Sequence, residues 1–234
     1  MKLILEQITK SFGPKSVLKG AGYTFEQGRI YGLLGRNGAG KTTLFNCISG
    51  EFPADTGTIA LDSGGGPRPL TQDDVGYVLS TPFVPDFLTG YEFVKFFLEI
   101  SDHSGSRRSA DDWLDLVGIA AEDRHRLMKD YSHGMKNKMQ MLCFLIARPP
   151  VILLDEPLTS FDVVAAAEMK DLLRGMKQDH IIIFSTHILE LAADLCDDIV
   201  LLNHGLLEEV DAALIHTPQF EERVVELLKE GDHD

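Results

Sequence analysis

The stretch that decides the fold is Gly35-Arg36-Asn37-Gly38-Ala39-Gly40-Lys41-Thr42-Thr43, which follows the apolar run Ile30-Tyr31-Gly32-Leu33-Leu34. It fits the pattern G-x-x-x-x-G-K-[ST], in which glycines let successive backbone N–H groups converge on one anion. A helix predicted to begin near Gly40 adds the partial positive charge of its N-terminus. The stretch therefore predicts a buried strand, a loop that binds the phosphates of a nucleotide, and a helix.

Each part of this loop has an expected role. Lys41 is expected to reach the β- and γ-phosphates, and the hydroxyl of Thr42 is expected to ligate Mg²⁺. The predicted nucleotide contacts in the loop are Asn37, Gly38, Ala39, Gly40, Lys41, Thr42 and Thr43. Glycine-rich turns of other kinds exist, but a strand pattern before the loop and a helix pattern after it favour the phosphate-binding interpretation. The loop by itself indicates a superfamily and leaves the function open.

The charge of the chain excludes some classes of partner. Its 234 residues carry a net charge of −14, and the part from Gly205 onward holds nine acidic residues against Arg223 and Lys229. No block of Lys and Arg interrupts this acidic character, so we expect neither nucleic-acid binding nor docking on anionic lipid.

Cysteine content and hydropathy indicate the compartment. Cys47, Cys143 and Cys196 are odd in number and lie in helix-like patterns, which predicts buried free thiols in a reducing compartment. The residues from Met1 to Glu6 lack the features of a signal peptide. No apolar run approaches the roughly 18 residues that a membrane span needs. We therefore expect a cytoplasmic chain without direct membrane insertion.

Short apolar runs alternate with helical patterns through much of the chain. The predicted strands are 2–9, 16–26, 30–34, 58–61, 75–79, 151–154, 181–184 and 198–202, with 63–67 as a flexible loop. The predicted helices outside the middle of the chain are 41–49, 163–176 and 188–195, followed by a final helix carrying Phe220 and Val224. This alternation predicts an α/β fold with a mostly parallel sheet that helices cover on both faces.

The composition changes between residues 82 and 148, which we interpret as a helical insertion. Five of the 13 phenylalanines lie between Phe83 and Phe97. Phe93, Phe96, Phe97 and Ile100 follow the spacing of one helix face. A second helix contains Trp113, and a third runs from Met135 to Ala147.

A pair of carboxylates follows the apolar run Val151-Ile152-Leu153-Leu154. Active groups gather at the carboxyl ends of parallel strands, and neighbouring residues on a strand point to different sides. Asp155 is therefore expected to hold Mg²⁺ through water, and Glu156 to orient or deprotonate an attacking water. Four apolar residues followed by two acids also fit a strand that ends in two exposed carboxylates without a function. The phosphate-binding loop favours a catalytic pair.

Over nearly its whole length the chain resembles the nucleotide-binding subunits of the ATP-binding cassette (ABC) family. The diagnostic addition is Tyr131-Ser132-His133-Gly134-Met135-Lys136, which is similar to the family signature L-S-G-G-Q. The resemblance implies that Ser132 and Gly134 contact the γ-phosphate of an ATP held by the other subunit of a head-to-tail dimer. In isolation the hexapeptide also fits an ordinary helix start with Ser132 as the N-cap.

Four further roles are implied by the resemblance alone. Asp162 corresponds to the acidic residue of a loop that crosses the dimer interface, and His187 to a switch histidine at the γ-phosphate. Phe12 occupies the position of the aromatic residue that stacks on adenine, although an ordinary turn aromatic fits equally well. Family members usually have Gln where this chain has Ser80, which is too short for the same reach to Mg²⁺ without a bridging water.

The resemblance implies a single P-loop NTPase domain over residues 1–234, with cofactors ATP and Mg²⁺. Residues 1–81 and 149–234 would form the core with an N-terminal antiparallel β subdomain, and residues 82–148 a helical subdomain. Partners would be a second copy or homologous subunit and a transmembrane permease, which places the chain at the inner face of the membrane. The alternatives are a soluble ABC ATPase that acts as a mechanical clamp, or an ordinary P-loop GTPase or kinase. The sequence indicates neither the cargo nor the direction of transport.

Overall fold

Two sheets and seven α-helices occupy the described part of the chain, which in this computed structural model comprises residues 1–79, 81–101, 108–158, 161, 163–215, 217 and 219–229. The strands are β1 (Lys2–Phe12), β2 (Lys15–Glu26), β3 (Ile30–Leu34), β4 (Thr56–Asp62), β5 (Pro67–Pro69), β6 (Val75–Val78), β7 (Val151–Asp155), β8 (Ile181–Ser185), β9 (Asp198–Asn203) and β10 (Leu206–Val210). The helices are α1 (Lys41–Ser49), α2 (Gly90–Ile100), α3 (Ala110–Leu116), α4 (His133–Ala147), α5 (Val163–Met176), α6 (Leu189–Leu195) and α7 (Gln219–Lys229).

The larger sheet has six strands in the order β10-β9-β3-β8-β7-β6. Its five strands from β9 to β6 are parallel, and β10 runs antiparallel to β9. Every residue of β3, β7 and β8 is buried, as expected for continuous apolar strands with both faces covered. The parallel sheet predicted from the alternating pattern is confirmed.

Alternate residues of the central strands face two separate hydrophobic clusters. On one face, residues such as Ile152 and Phe184 pack with α5, α6 and α7; on the other, Leu153 and Ile183 pack with α1 and the smaller sheet. Val224 of α7 is fully buried, which confirms that the final helix lies on the body of the protein. This two-sided coverage holds the carboxyl ends of β3, β7 and β8 in fixed register.

The smaller sheet is antiparallel, with the order β2-β1-β4-β5, and confirms the predicted N-terminal β subdomain. Strand β5 lies partly in the stretch predicted to be a flexible loop. It has three residues and two of them are Pro, which lacks an N–H donor and is tolerated at a sheet edge.

Strand β10 was not predicted from the sequence pattern. It pairs with β9 through a tight turn in which His204 and Gly205 both have positive φ, the conformation that hairpin turns favour. Its adjacent charged residues Glu208 and Glu209 interrupt the alternation of apolar and polar residues that would predict a strand. They lie on the edge strand of the sheet, where charge discourages pairing with a strand of another chain.

Helices α2, α3 and α4 share a third hydrophobic cluster that includes Val94, Trp113 and Leu142. The predicted apolar face of α2 is wrong in part, because Phe96 and Ile100 are exposed. The buried face of this helix centres on Val94. Phe96 lies two residues further along, which is about 200° around the helix axis, and so it points to the opposite side. The exact limits of a subdomain at 82–148 stay a prediction.

The three cysteines are free, but they are not equally buried. Cys47 and Cys196 are buried, whereas Cys143 is partly buried, so the prediction of three buried thiols is wrong for Cys143. Burial raises the pKa of Cys47 to about 11 and that of Cys143 to about 12. Both thiols therefore stay protonated at neutral pH and are poor nucleophiles.

His180 directly precedes β8 and is 3% exposed. Its Nδ1 lies 2.6 Å from the carbonyl oxygen of Pro149. Burial lowers the pKa of His180 below its ordinary value, with the Pro149 carbonyl opposing this effect. The unfolded chain therefore takes up a proton at a higher pH than the folded chain does.

We predict that lowering the pH through about 6.5, the ordinary pKa of histidine, decreases the free energy of unfolding partly through His180. His180→Gln keeps a hydrogen-bond donor for the carbonyl of Pro149 but removes the titrating imidazole. The free energy of unfolding of this variant therefore decreases less between neutral and mildly acidic pH than that of the unmodified protein. Urea unfolding of both proteins at each pH measures the difference. Equal pH dependence would contradict the assignment.

Candidate functional site

The glycine-rich loop leaves the centre of the large sheet and enters α1. Gly38 and Gly40 have φ values of 78° and 109°, which glycine adopts without strain. A Cβ atom at Gly40 would lie 2.6 Å from Cγ1 of Val17, and one at Gly35 would lie 2.7 Å from the carbonyl oxygen of Leu202. The loop thus passes so close to β9 at Gly35 and to β2 at Gly40 that a side chain at either position is excluded. No side chain caps the start of α1. Its backbone is left to interact with a ligand.

Lys41 is buried beneath this loop. Its Nζ donates hydrogen bonds to the carbonyl oxygens of Gly35 at 2.8 Å and of Arg36 at 3.4 Å. Burial lowers the pKa of Lys41, and the nearby negative charges of Glu156 and Asp155 oppose that effect. An anion bound in the loop would stabilise the ammonium group in this desolvated position.

The two halves of the predicted site meet at Thr42 and Asp155. Thr42 Oγ1 donates a hydrogen bond of 2.9 Å to Asp155 Oδ2, and the Oδ1 atom of the same carboxylate accepts a hydrogen bond from Ser185. Asp155 is 5% exposed at the carboxyl end of β7. Parallel strand order therefore brings a hydroxyl of α1 and a carboxylate 113 residues later into direct contact.

Glu156 and His187 form a second pair beside the first. His187 Nδ1 lies 2.9 Å from Glu156 Oε1. Glu156 has a φ of 51°, in the left-handed region where a non-glycine residue costs about 1–2 kcal/mol. Such strain is retained where the surroundings fix it, and it is common at functional sites. The turn directs the Glu156 side chain away from the strand and towards the loop.

A cavity of about 470 Å³ opens between these groups. Its lining residues are Phe12, Lys15, Val17, Asn37, Gly38, Gly40, Lys41, Thr42, Thr43, Asp155 and Glu156. The structure thus brings together most of the predicted phosphate-loop contacts, the predicted acidic pair and the predicted base-stacking residue. The volume lies within the range of small-molecule sites.

Phe12 lies at the rim of this cavity, at the end of β1 rather than in the turn where the sequence pattern placed it. Its side chain is 50% exposed, and its ring meets Phe52 edge-on at 5.6 Å between centroids. A ring supported on one side and exposed on the other is suited to stacking on a base.

Sequence reasoning missed three residues of the site. Lys15 and Val17 line the cavity from the start of β2. The alternation of β2 after the turn at residues 13 and 14 was an available signal, because it places both residues on the side of Phe12. The third residue is Ser185, which donates a hydrogen bond to Asp155 and directly follows the predicted strand 181–184.

Other predicted residues lie apart from this cavity. Ala39 faces a neighbouring cavity of about 300 Å³. Ser132 is the exposed N-cap of α4, where its Oγ accepts a 3.2 Å hydrogen bond from the N–H of Met135; Gly134 follows in the first turn. Neither Ser132 nor Gly134 is among the residues that line the cavity within the described chain. Ser80 and Asp162 lie outside the described residues.

The donor set at Thr42 and Asp155 fits Mg²⁺. Mg²⁺ prefers hard oxygen ligands and usually binds through one or two carboxylates together with substrate phosphates and water. A hydroxyl and a carboxylate oxygen 2.9 Å apart, next to a phosphate-binding loop, match this preference. Within the described ranges, no group of three or more His, Cys, Asp and Glu residues is arranged to hold a metal ion.

Comparison with known proteins identifies the family. The family model described as ABC transporter matches residues 18–159, which is more than half of the chain. The chain therefore belongs to the ABC transporter family, as the signature and the acidic strand implied. Within the described residues, no helix is both long enough and apolar enough to span a membrane.

Several curated relatives are ATP-binding proteins. An uncharacterised ABC transporter ATP-binding protein of Nostoc sp. is 35% identical over 195 residues, which cover 81% of this chain and 58% of that protein. The bacitracin transport ATP-binding protein of Enterococcus faecalis is 31% identical over 217 residues, covering 90% of this chain and 70% of that protein. The chain thus spans little more than half of the Nostoc protein's length.

Two solved structures share the fold. The ATP binding subunit of an ABC transporter superposes with a TM-score of 0.85 at 24% identity, covering 98% of this chain and 100% of that one. A dimeric ATP-binding cassette in a post-hydrolysis state with ADP and Pi superposes with a TM-score of 0.76 at 20% identity. The superposition covers 90% of this chain and 98% of that one. These similarities confirm the P-loop NTPase fold class.

We predict that Gly40→Ala destabilises the loop and abolishes most nucleotide binding. The backbone of residue 40 has a φ of 109°, which alanine adopts only with strain, and the new methyl group would lie 2.6 Å from Cγ1 of Val17. The expected decrease in the free energy of unfolding is about 1–3 kcal/mol. Gly28→Ala is the matched control, because Gly28 has a φ of 90° but no atom within 4 Å of its Cβ position. Thermal unfolding and titration with a fluorescent ATP analogue measure both effects. Equal losses in the two variants would show that the contact with Val17 is unimportant.

Proposed function

We propose that this chain is the ATP-binding and ATP-hydrolysing subunit of an ABC transporter. The observation that carries the proposal is the 2.9 Å hydrogen bond between Thr42 and Asp155, which assembles the phosphate-binding loop and the acidic strand into one cavity. The names of the relatives support the same assignment, since they are ATP-binding proteins of transport systems.

In the proposed reaction the chain's own residues bind the triphosphate and activate water. The loop from Asn37 to Thr43 surrounds the phosphates, and Lys41 moves its hydrogen bonds from backbone carbonyls to phosphate oxygens. Thr42, and Asp155 through water, would hold Mg²⁺, which would neutralise negative charge that develops on the phosphates. Glu156 orients the attacking water and accepts its proton, while His187 fixes the Glu156 carboxylate through their 2.9 Å contact.

We propose that a second subunit completes the site. Ser132 is exposed, and its Oγ already accepts a hydrogen bond from Met135, which leaves its hydroxyl proton to donate to a phosphate oxygen. The N-terminus of the 15-residue helix α4 adds a favourable potential for an anion. In a head-to-tail pair, Ser132 and Gly134 of one copy cover the ATP held by the other. The dimeric ATP-binding cassette with the same fold supports this arrangement.

Coupling to a membrane partner follows from differential affinity. If ATP favours the closed pair and ADP with phosphate favours the open pair, each turnover shifts the equilibrium between them. A permease docked on the helical region then moves with the subunits. Asp162 at the subunit interface and Ser80 near the metal remain predictions for this cycle.

A candidate docking surface lies just before α2. Phe83 and Phe87 are 82% and 78% exposed, and Phe96 on α2 is 53% exposed. Large apolar side chains that remain exposed are expected where a partner binds. We propose that this surface receives the permease, and that the chain thereby lies at the cytoplasmic face of the membrane.

We predict that Glu156→Gln retains binding of Mg-ATP but lowers hydrolysis by about 10²–10⁴-fold, the usual contribution of a general base. The amide keeps the size of the side chain and cannot accept the proton of water. Phosphate release measures the rate of hydrolysis. Size-exclusion chromatography with ATP measures the ATP-bound dimer, which we expect to accumulate when hydrolysis stops. Glu168→Gln, on the exposed side of α5, is the control. Unchanged hydrolysis by Glu156→Gln would exclude the assigned base.

We predict that Phe83→Ser combined with Phe87→Ser weakens association with the membrane partner and leaves ATP affinity unchanged. Leu206→Ser removes an exposed apolar side chain of β10 and serves as the control. Affinity purification from detergent-solubilised membranes of the source cells measures the partner that is retained. Recovery of soluble partners alone by the unmodified protein would favour the soluble-clamp alternative over the transporter subunit.

A further inference from the structure

Ser185 is the last residue of β8 and pairs in register with Asp155 of β7. It is fully buried. Ser185 Oγ donates a hydrogen bond to Asp155 Oδ1. Ser185 Oγ also accepts a 3.2 Å hydrogen bond from the N–H of Glu156. The carbonyl oxygen of Ser185 accepts from that N–H as well, also at 3.2 Å. One small residue therefore contacts both members of the acidic pair.

The hydrogen bond to Asp155 restricts rotation of its carboxylate. Ser185 occupies Oδ1 and Thr42 occupies Oδ2, so the plane of the group is defined from two sides. Without the Ser185 hydroxyl, the carboxylate could turn about its side-chain bonds while Thr42 follows it.

The bonds to Glu156 fix an unfavourable backbone conformation. Glu156 has a φ of 51°, and its N–H is directed at both oxygen atoms of Ser185. A left-handed residue persists only where its surroundings determine it. This backbone turn sets the direction in which the Glu156 side chain leaves the strand, and hence its 2.9 Å contact with His187.

We propose that Ser185 is a positioning residue that sets the orientation of Asp155 and Glu156 together. Its only hydroxyl proton is used by Asp155, so it cannot donate to a nucleotide, and it acts through the two carboxylates. This inference rests on the proposed function and deepens it, since it assigns to one hydroxyl the alignment of the metal-binding and the water-activating groups. Misplacement of catalytic groups by a fraction of an ångström is costly, which explains the need for such a residue.

The test compares Ser185→Ala, Ser185→Cys and Ser185→Thr in the full-length chain. Alanine removes the hydroxyl, cysteine keeps the volume with a weak donor, and threonine keeps the hydroxyl. Ser49→Ala is the matched control, because Ser49 is also buried and hydrogen-bonded but lies at the far end of α1. The readouts are kcat and KM for ATP, the Mg²⁺ concentration that half-saturates binding of a non-hydrolysable ATP analogue, and thermal unfolding.

We expect Ser185→Ala and Ser185→Cys to lower kcat by about 10- to 100-fold, the size of effect that misplacement of catalytic groups produces. KM for ATP changes little, because the loop that binds the phosphates is untouched, and more Mg²⁺ is needed for half-saturation. Ser185→Thr restores most of kcat. Should Ser185→Ala unfold, Ser185→Cys gives the same comparison at nearly constant volume.

A folded Ser185→Ala or Ser185→Cys with wild-type kcat and wild-type Mg²⁺ dependence would overturn this role. So would a folded Ser185→Thr that is as slow as Ser185→Ala. Failure of the underlying function is a separate result: the unmodified chain would then bind no ATP or release no phosphate from it. If the unmodified chain hydrolyses ATP and all three Ser185 variants hydrolyse it equally well, the role of Ser185 is rejected and the proposed ATPase function stands.

Discussion

The contact between Thr42 and Asp155 is the constraint on which the site depends. It joins the first turn of α1, the helix that follows β3, to the end of β7. Strands β3 and β7 lie on either side of β8 in the order of the sheet. The contact exists because β3, β8 and β7 run in the same direction and end at the same edge. The two hydrophobic clusters on the faces of the sheet keep these strand ends in place. The contact within the proposed metal-binding pair is thus a consequence of strand order and core packing.

The sequence predicted the parts of the site that have strong local patterns. The glycine-rich loop needs glycine at Gly35 and Gly40 because neighbouring strands leave no room for a side chain, and this need makes the pattern recognisable. Strand β7 is fully buried and therefore reads as a continuous apolar run before its two acids. The mostly parallel sheet followed from the same kind of run at β3 and β8.

Weaker local patterns explain what was missed. Strand β5 is two-thirds proline, and the adjacent acids Glu208 and Glu209 interrupt the apolar alternation of β10, so neither edge strand has a recognisable strand pattern. Ser185 gives no pattern of its own, because its importance comes from pairing with Asp155 across the sheet. The outer face of α2 was misjudged since phenylalanine at helical spacing suggests burial, whereas Phe96 faces outward.

The site within one chain has an open side, and this bears on the proposed assembly. Ser132 begins a helix in the region of α2 to α4, whose hydrophobic cluster is separate from those of the large sheet. The residues that line the cavity come from β1, β2, α1, the glycine-rich loop and the end of β7. In the proposed assembly, Ser132 therefore reaches the phosphates that the other subunit holds.

A crystal structure of the protein with Mg²⁺ and a non-hydrolysable ATP analogue tests the central claim most directly. The account predicts a metal ion against Thr42 Oγ1, the γ-phosphate near Lys41 and Glu156, and Ser132 of a second copy at the same phosphate. A triphosphate bound away from Lys41 and Thr42, or one that meets Ser132 of no neighbouring copy in any pairing, would contradict it.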